Sequence, residues 1–74
     1  MPWFKEHPME LLIIKTGTAY LRVKPEGFFT VGLDKASVFP MDKLDHVQTL
    51  EKKARAQGFS DVRIKKLILT ERDL

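Results

Sequence analysis

Aromatic and cationic side chains alternate with apolar ones in three segments of the chain, and their types and spacing suit binding chemistry. Side chains at alternate positions of a β-strand point to the same face, so one sheet face would present them together. The residues predicted to share this face are Tyr20, Arg22, Lys24, Phe28, Arg63 and Lys65. Single-stranded nucleic-acid binders use such a face, because bases stack on the rings and phosphates contact the cations. The pattern is equally typical of a solvated sheet face, so both interpretations remain open.

Residues that would indicate catalysis or a metal site form no comparable pattern. The chain has no cysteine, which excludes disulfides, thiolate metal sites and cysteine nucleophiles. His46 follows Asp42 by four residues, a spacing that suits a surface pair and supplies two ligands where zinc needs three or four. Ser37 and Ser60 have no histidine and acid arranged to activate them. We therefore expect no enzyme, no catalytic residue, no metal and no cofactor, and we infer no small-molecule ligand.

Four predicted strands would position the binding residues. Alternation or continuous apolarity predicts them over 10–15, 18–24, 28–33 and 61–70, with turns at Thr16-Gly17 and Pro25-Glu26-Gly27. The side chains expected on the opposite, inward face are Ala19, Leu21, Val23, Phe29, Val31, Leu33, Val62 and Ile64. In the last strand Lys66 breaks the alternation. This break predicts a β-bulge near Lys65 and Lys66, or else a strand end that is apolar on both faces.

One helix is predicted, over 42–59. Leu44, Val47, Leu50 and Ala54 form an apolar stripe at helical spacing, which would cover the inward face of the sheet. Asp42 is the expected N-cap. At the other end, a glycine and then a phenylalanine match the residues that end a helix in a left-handed turn.

The resulting prediction is a small single α+β domain of order β-β-β-α-β. Its four-stranded mixed sheet would have the spatial order 4-1-2-3, with the last strand parallel to the first and one helix on one face. Residues 1–9, which contain two prolines, are predicted to form an irregular N-terminal arm, and residues 10–74 the domain.

The first predicted strand also suggests a partner. Leu11 to Ile14 are all large and aliphatic, so two of them must point away from the helix. With Phe28 and Tyr20 they would form an exposed apolar patch that monomers rarely keep. The patch predicts either a homodimer or a cover formed by Trp3 and Phe4 of the arm.

Composition is compatible with these interpretations but does not identify a function. The 74 residues carry a formal net charge of +3, which permits nucleic-acid binding without requiring it. The longest apolar run is far shorter than a membrane span, and no signal peptide is recognisable, so we expect a cytoplasmic protein. The leading hypothesis is a non-catalytic interaction module that self-associates through its open sheet face. The alternative is a nucleic-acid-binding module that uses the same face.

Overall fold

The computed structural model describes residues 9–70 and residue 73. In this part of the chain, one α-helix packs against one face of an antiparallel sheet of five strands, which confirms the predicted α+β class. The elements are β1 (Met9–Thr16), β2 (Ala19–Lys24), β3 (Gly27–Val31), β4 (Val38–Pro40), α1 (Leu44–Ala56) and β5 (Val62–Leu69). One-turn 3-10 helices occupy Leu33–Lys35 and Met41–Lys43.

Strand β1 is the centre of the sheet. β5 pairs with it from end to end on one edge. The other edge is shared, because β2 pairs with Lys15 and Thr16 while the short β4 pairs with Leu11 to Ile13. β3 continues the sheet beyond β2. The last strand therefore lies beside the first, as the sequence predicted, and the continuous apolarity of β1 reflects burial on both faces.

The predicted direction of the last strand is wrong. β5 runs antiparallel to β1, and every strand pair among the described residues is antiparallel, so the sheet is not mixed. The reason is β4, a strand that the sequence analysis did not predict. This short strand adds one reversal of the chain before α1, and it inverts the direction of every later element.

The predicted β-bulge in the last strand is also wrong. The register between β1 and β5 is regular from Met9 opposite Leu69 to Thr16 opposite Val62. Lys66 keeps the alternation and lies on the helix side, where its Nζ is 3.6 Å from a carboxylate oxygen of Glu10. The alternative prediction is confirmed, because the end of β5 carries apolar side chains on both faces.

The phase of the third strand differs from the prediction. β2 and β3 are joined by the two residues Pro25 and Glu26, and this loop length sets Val23 opposite Phe28. Val23 packs towards the core, so its cross-strand neighbour Phe28 does so too. Phe29 and Val31, expected on the inward face, consequently lie on the opposite face.

The core lies between α1 and the sheet. Its buried members are Leu12, Ile14, Leu21, Val47, Leu50, Ala54 and Val62. The helix begins at Leu44, after the 3-10 turn that contains Asp42, so the predicted N-cap is wrong. Its end follows the prediction: Gly58 has a φ of +100°, and the Phe59 amide donates to the Ala54 carbonyl at 3.2 Å.

One hydroxyl contributes to stability where β1 ends. The Thr16 Oγ1 donates to the Ser60 carbonyl at 2.6 Å, and Thr16 is buried. We expect Thr16→Val to lower the free energy of unfolding by about 1 kcal/mol, because the isosteric side chain leaves this carbonyl without its donor. Urea denaturation measures the change.

Thr49→Val is the matched control for Thr16→Val. The Thr49 hydroxyl also donates to a carbonyl, that of Asp45, but it does so on the exposed surface of α1. We expect this variant to stay within about 0.5 kcal/mol of the natural protein. Equal losses in the two variants would contradict a specific role of the Thr16 bond.

Two further sequence-based expectations concern the N-terminal arm and membrane-spanning segments. The predicted arm, except for Met9, which begins β1, lies outside the described residues, and so does the expected cover by Trp3 and Phe4. Within the described residues, no helix is long and apolar enough to cross a membrane.

Candidate binding face

The sheet face opposite α1, called the open face below, carries the candidate binding residues. Residues directly opposite each other in antiparallel strands share a face, so the register assigns them. Arg63 of β5, Lys15 of β1, Tyr20 of β2 and Val31 of β3 form one row across four strands of this face. At a strand spacing of about 4.8 Å, the row spans about 15 Å.

Five of the six predicted binding residues have the predicted orientation. Tyr20 and Arg63 belong to the row, and Lys65 lies one position further along the same face of β5. Arg22 and Lys24 continue the face along β2. All four cations among them are exposed, and Tyr20 is half-buried. The Lys24 side chain lies beside the exposed ring of Phe29.

Phe28, the sixth predicted residue, does not belong to the open face. Its ring packs against the core and meets the ring of Phe59 edge to face, with 6.1 Å between the centroids. Phe29 takes its place opposite Arg22, and 44% of Phe29 is exposed. The candidate face thus carries two aromatic rings, Tyr20 and Phe29, and the second of them stands in place of the predicted Phe28.

Lys15 is a member of the face that the sequence analysis missed. It lies between Arg63 and Tyr20 in the row, with its Nζ 5.5 Å from the centre of the Tyr20 ring. The Nζ of Lys24 has the same relation to Phe29, at 5.4 Å. Each exposed or half-exposed ring on this face therefore has an ammonium group beside it.

These residues define the cationic end of the open face: Lys15, Tyr20, Arg22, Lys24, Phe29, Arg63 and Lys65. None of the strand residues that the register places on this face is acidic. Asp61, which precedes β5, bonds to Arg63 with 2.8 Å between Oδ1 and Nε. The Arg22 guanidinium donates to the Lys35 carbonyl at 3.1 Å, which holds it in place without neutralising it. Five of the thirteen lysines and arginines thus share this part of the face without an acidic strand residue among them.

The apolar end of the open face consists of Met9, Leu11, Ile13, Val38, Pro40, Leu67 and Leu69. The register joins them, because Met9 is opposite Leu69, Leu11 is opposite both Leu67 and Pro40, and Ile13 is opposite Val38. Ile13 is buried, but Met9, Val38 and Leu69 are 61%, 46% and 45% exposed. Leu11 and Ile13 thus point away from the helix, as predicted for two residues of the first strand, but they are half-buried and buried, respectively. The exposed apolar side chains are instead their neighbours Met9, Val38 and Leu69.

Ser37 and His46, two of the other polar residues considered from the sequence, have structural partners. The Ser37 hydroxyl accepts a hydrogen bond from the Val23 amide at 2.8 Å. His46 lies edge to face against Phe39, with 6.0 Å between the ring centres. Among residues 9–70 and 73, no group of three or more histidine or acidic side chains is placed to hold a metal ion.

Comparison with known proteins gives no functional information about this face. The chain matches no protein-family model, no curated protein sequence and no solved structure.

Proposed function

We propose that the protein is a non-catalytic interaction module that associates with a second copy of itself through the apolar end of the open face. The observation that carries the proposal is the contiguous set of apolar side chains on β1, β4 and β5, of which Met9, Val38 and Leu69 remain substantially exposed. In a chain of 74 residues, self-association also supplies stability that a small core lacks. We place the activity in the cytoplasm, in keeping with the absence of cysteine.

Charge favours one arrangement of the two copies. Complete overlap of the open faces would bring the cationic ends together and desolvate like charges. A two-fold axis through the apolar end avoids this, because each apolar end then covers the other while the cationic ends point apart. Such an interface uses the same patch on both copies, and two sheet faces pack at about 10 Å.

The buried area predicts a weak dimer. A patch on the order of 300 Å2 per copy, at about 25 cal/mol per Å2, stabilises the pair by roughly 15 kcal/mol before association costs. Those costs are about 4–15 kcal/mol. The difference is roughly 0–11 kcal/mol, and the middle of this range corresponds to a dissociation constant between micromolar and millimolar. We therefore expect a dimer that depends on concentration.

Leu69→Lys tests the interface. The change places a charge within the proposed contact, and we expect it to raise the dimer dissociation constant at least about tenfold. Sedimentation equilibrium over a concentration series measures this constant. Circular dichroism should show an unchanged fold, because Leu69 is partly exposed at the end of β5.

The neighbouring residue provides the control. Ile68→Lys adds the same charge at a side chain that is 57% exposed, but the register places Ile68 opposite Glu10 on the helix side. We expect this variant to dimerise like the natural protein. Equal weakening by both substitutions, or a natural protein that stays monomeric at millimolar concentration, would contradict the proposal.

A further inference from the structure

We propose that the cationic end of the open face binds single-stranded nucleic acid. This goes beyond self-association, which concerns the other end of the same face. The site is the row of Arg63, Lys15 and Tyr20, extended by Lys65 along β5 and by Arg22, Lys24 and Phe29 along the β2–β3 hairpin.

Charge complementarity indicates a polyanionic ligand. Five cations share this part of the face with no acidic strand residue, and only Arg63 is paired with a carboxylate, that of Asp61. The whole chain has thirteen Lys and Arg and ten Asp and Glu, a formal net charge of only +3. A clustered positive surface attracts phosphates at low salt more strongly than the net charge implies.

The aromatic rings favour single strands over other polyanions. Tyr20 and Phe29 lie on the sheet surface, each with an ammonium group about 5.5 Å from the ring centre. A base that stacks on either ring would bring its phosphate close to this ammonium group. Stacking of an unpaired base is stronger than an exposed cation–ring contact, so the base can displace the lysine towards the phosphate. Paired bases in a duplex cannot present their faces in this way.

Binding of a fluorescein-labelled oligothymidylate, about 12 nucleotides long, followed by fluorescence anisotropy, tests the proposal. We expect measurable binding at about 50 mM salt that weakens steeply as the salt concentration rises. A parallel titration with oligouridylate distinguishes DNA from RNA as the preferred strand. Both oligonucleotides should bind, because stacking and phosphate contacts are common to them.

A pair of double variants locates the site. Lys15→Gln with Lys65→Gln removes two cations from the open face, and we expect the dissociation constant to rise at least about tenfold and the salt dependence to become shallower. Lys52→Gln with Lys66→Gln is the matched control, because it also lowers the net charge from +3 to +1 but at an exposed helix position and on the helix side of β5. This control should change binding by less than about threefold.

Phe29→Ala tests the stacking contact separately, and we expect it to weaken single-strand binding about tenfold while leaving the salt dependence unchanged. The proposal would be overturned by no binding at low salt, by equal losses in the two double variants, or by a duplex of the same length that binds as well as the single strand. Binding to vesicles that contain anionic lipid without binding to either oligonucleotide would also overturn it. Circular dichroism confirms that each variant is folded.

Discussion

Leu50→Ala is expected to lower the free energy of unfolding by about 2–5 kcal/mol, because it removes a buried side chain and leaves a cavity under α1. Leu50 is only 7% exposed and belongs to the core cluster. A domain of this size has a total stability of roughly 4–11 kcal/mol, so this single loss should unfold part of the population. Urea denaturation at one fixed protein concentration, followed by circular dichroism, measures the effect.

Leu44→Ala is the control for this experiment. Leu44 lies on the same helix and matches the same apolar stripe, but it is 41% exposed and outside the core cluster. Its truncation should cost less than about 1 kcal/mol. A Leu44 variant as unstable as the Leu50 variant would mean that the buried face of α1 is rotated from its described position.

Phe28→Ala should destabilise the protein by about 2–4 kcal/mol, somewhat less than for a fully buried phenylalanine, because the ring is only partly buried. The loss arises from its contact with the core and with the ring of Phe59. Thermal and urea denaturation should both show it. The prediction tests the register of the β2–β3 hairpin, which sets the face on which this ring lies.

Phe29→Ala provides the comparison at the adjacent position. Phe29 is 44% exposed and contacts the ammonium group of Lys24, so its removal should cost less than about 1 kcal/mol. A larger loss of stability in Phe29→Ala than in Phe28→Ala would mean that Phe29 faces the core, as alternation alone predicts. Phe29→Ala is also the variant that tests single-strand binding. We expect it to weaken binding while it keeps most of the stability, whereas Phe28→Ala loses stability.

Dimerisation and nucleic-acid binding should respond to different substitutions, because they use different ends of the open face. Leu69→Lys should weaken the dimer and leave the cationic end intact, whereas removal of Lys15 and Lys65 should affect nucleic-acid binding and leave the apolar end intact. Leu69 and Lys65 lie four residues apart on β5, and Lys15 lies on β1. The two ends meet where Lys65 is opposite Ile13. Loss of both properties in either variant would indicate a general defect of the sheet.

Local pattern was sufficient for most elements and for part of the candidate face. The alternation in β2 assigned Tyr20, Arg22 and Lys24 to one face and the core residues between them to the other, because side chains alternate strictly along a strand. The stripe on α1 identified Val47, Leu50 and Ala54 as buried for the same kind of reason, with a period of 3.6 residues. The apolarity of Leu11 to Ile14 indicated a central strand.

The tertiary structure decided what local pattern leaves ambiguous. β3 has large apolar residues at Phe28 and Phe29, so its phase depends on the hairpin register and not on its own alternation. The phase of β1 is equally hidden by its apolar run, and only its pairing with β2 and β5 places Lys15 on the open face. The direction of β5 depended on β4, three residues that pair with β1 and reverse the chain once more. In each case the deciding contact lies between strands, where the sequence of one strand alone carries no information.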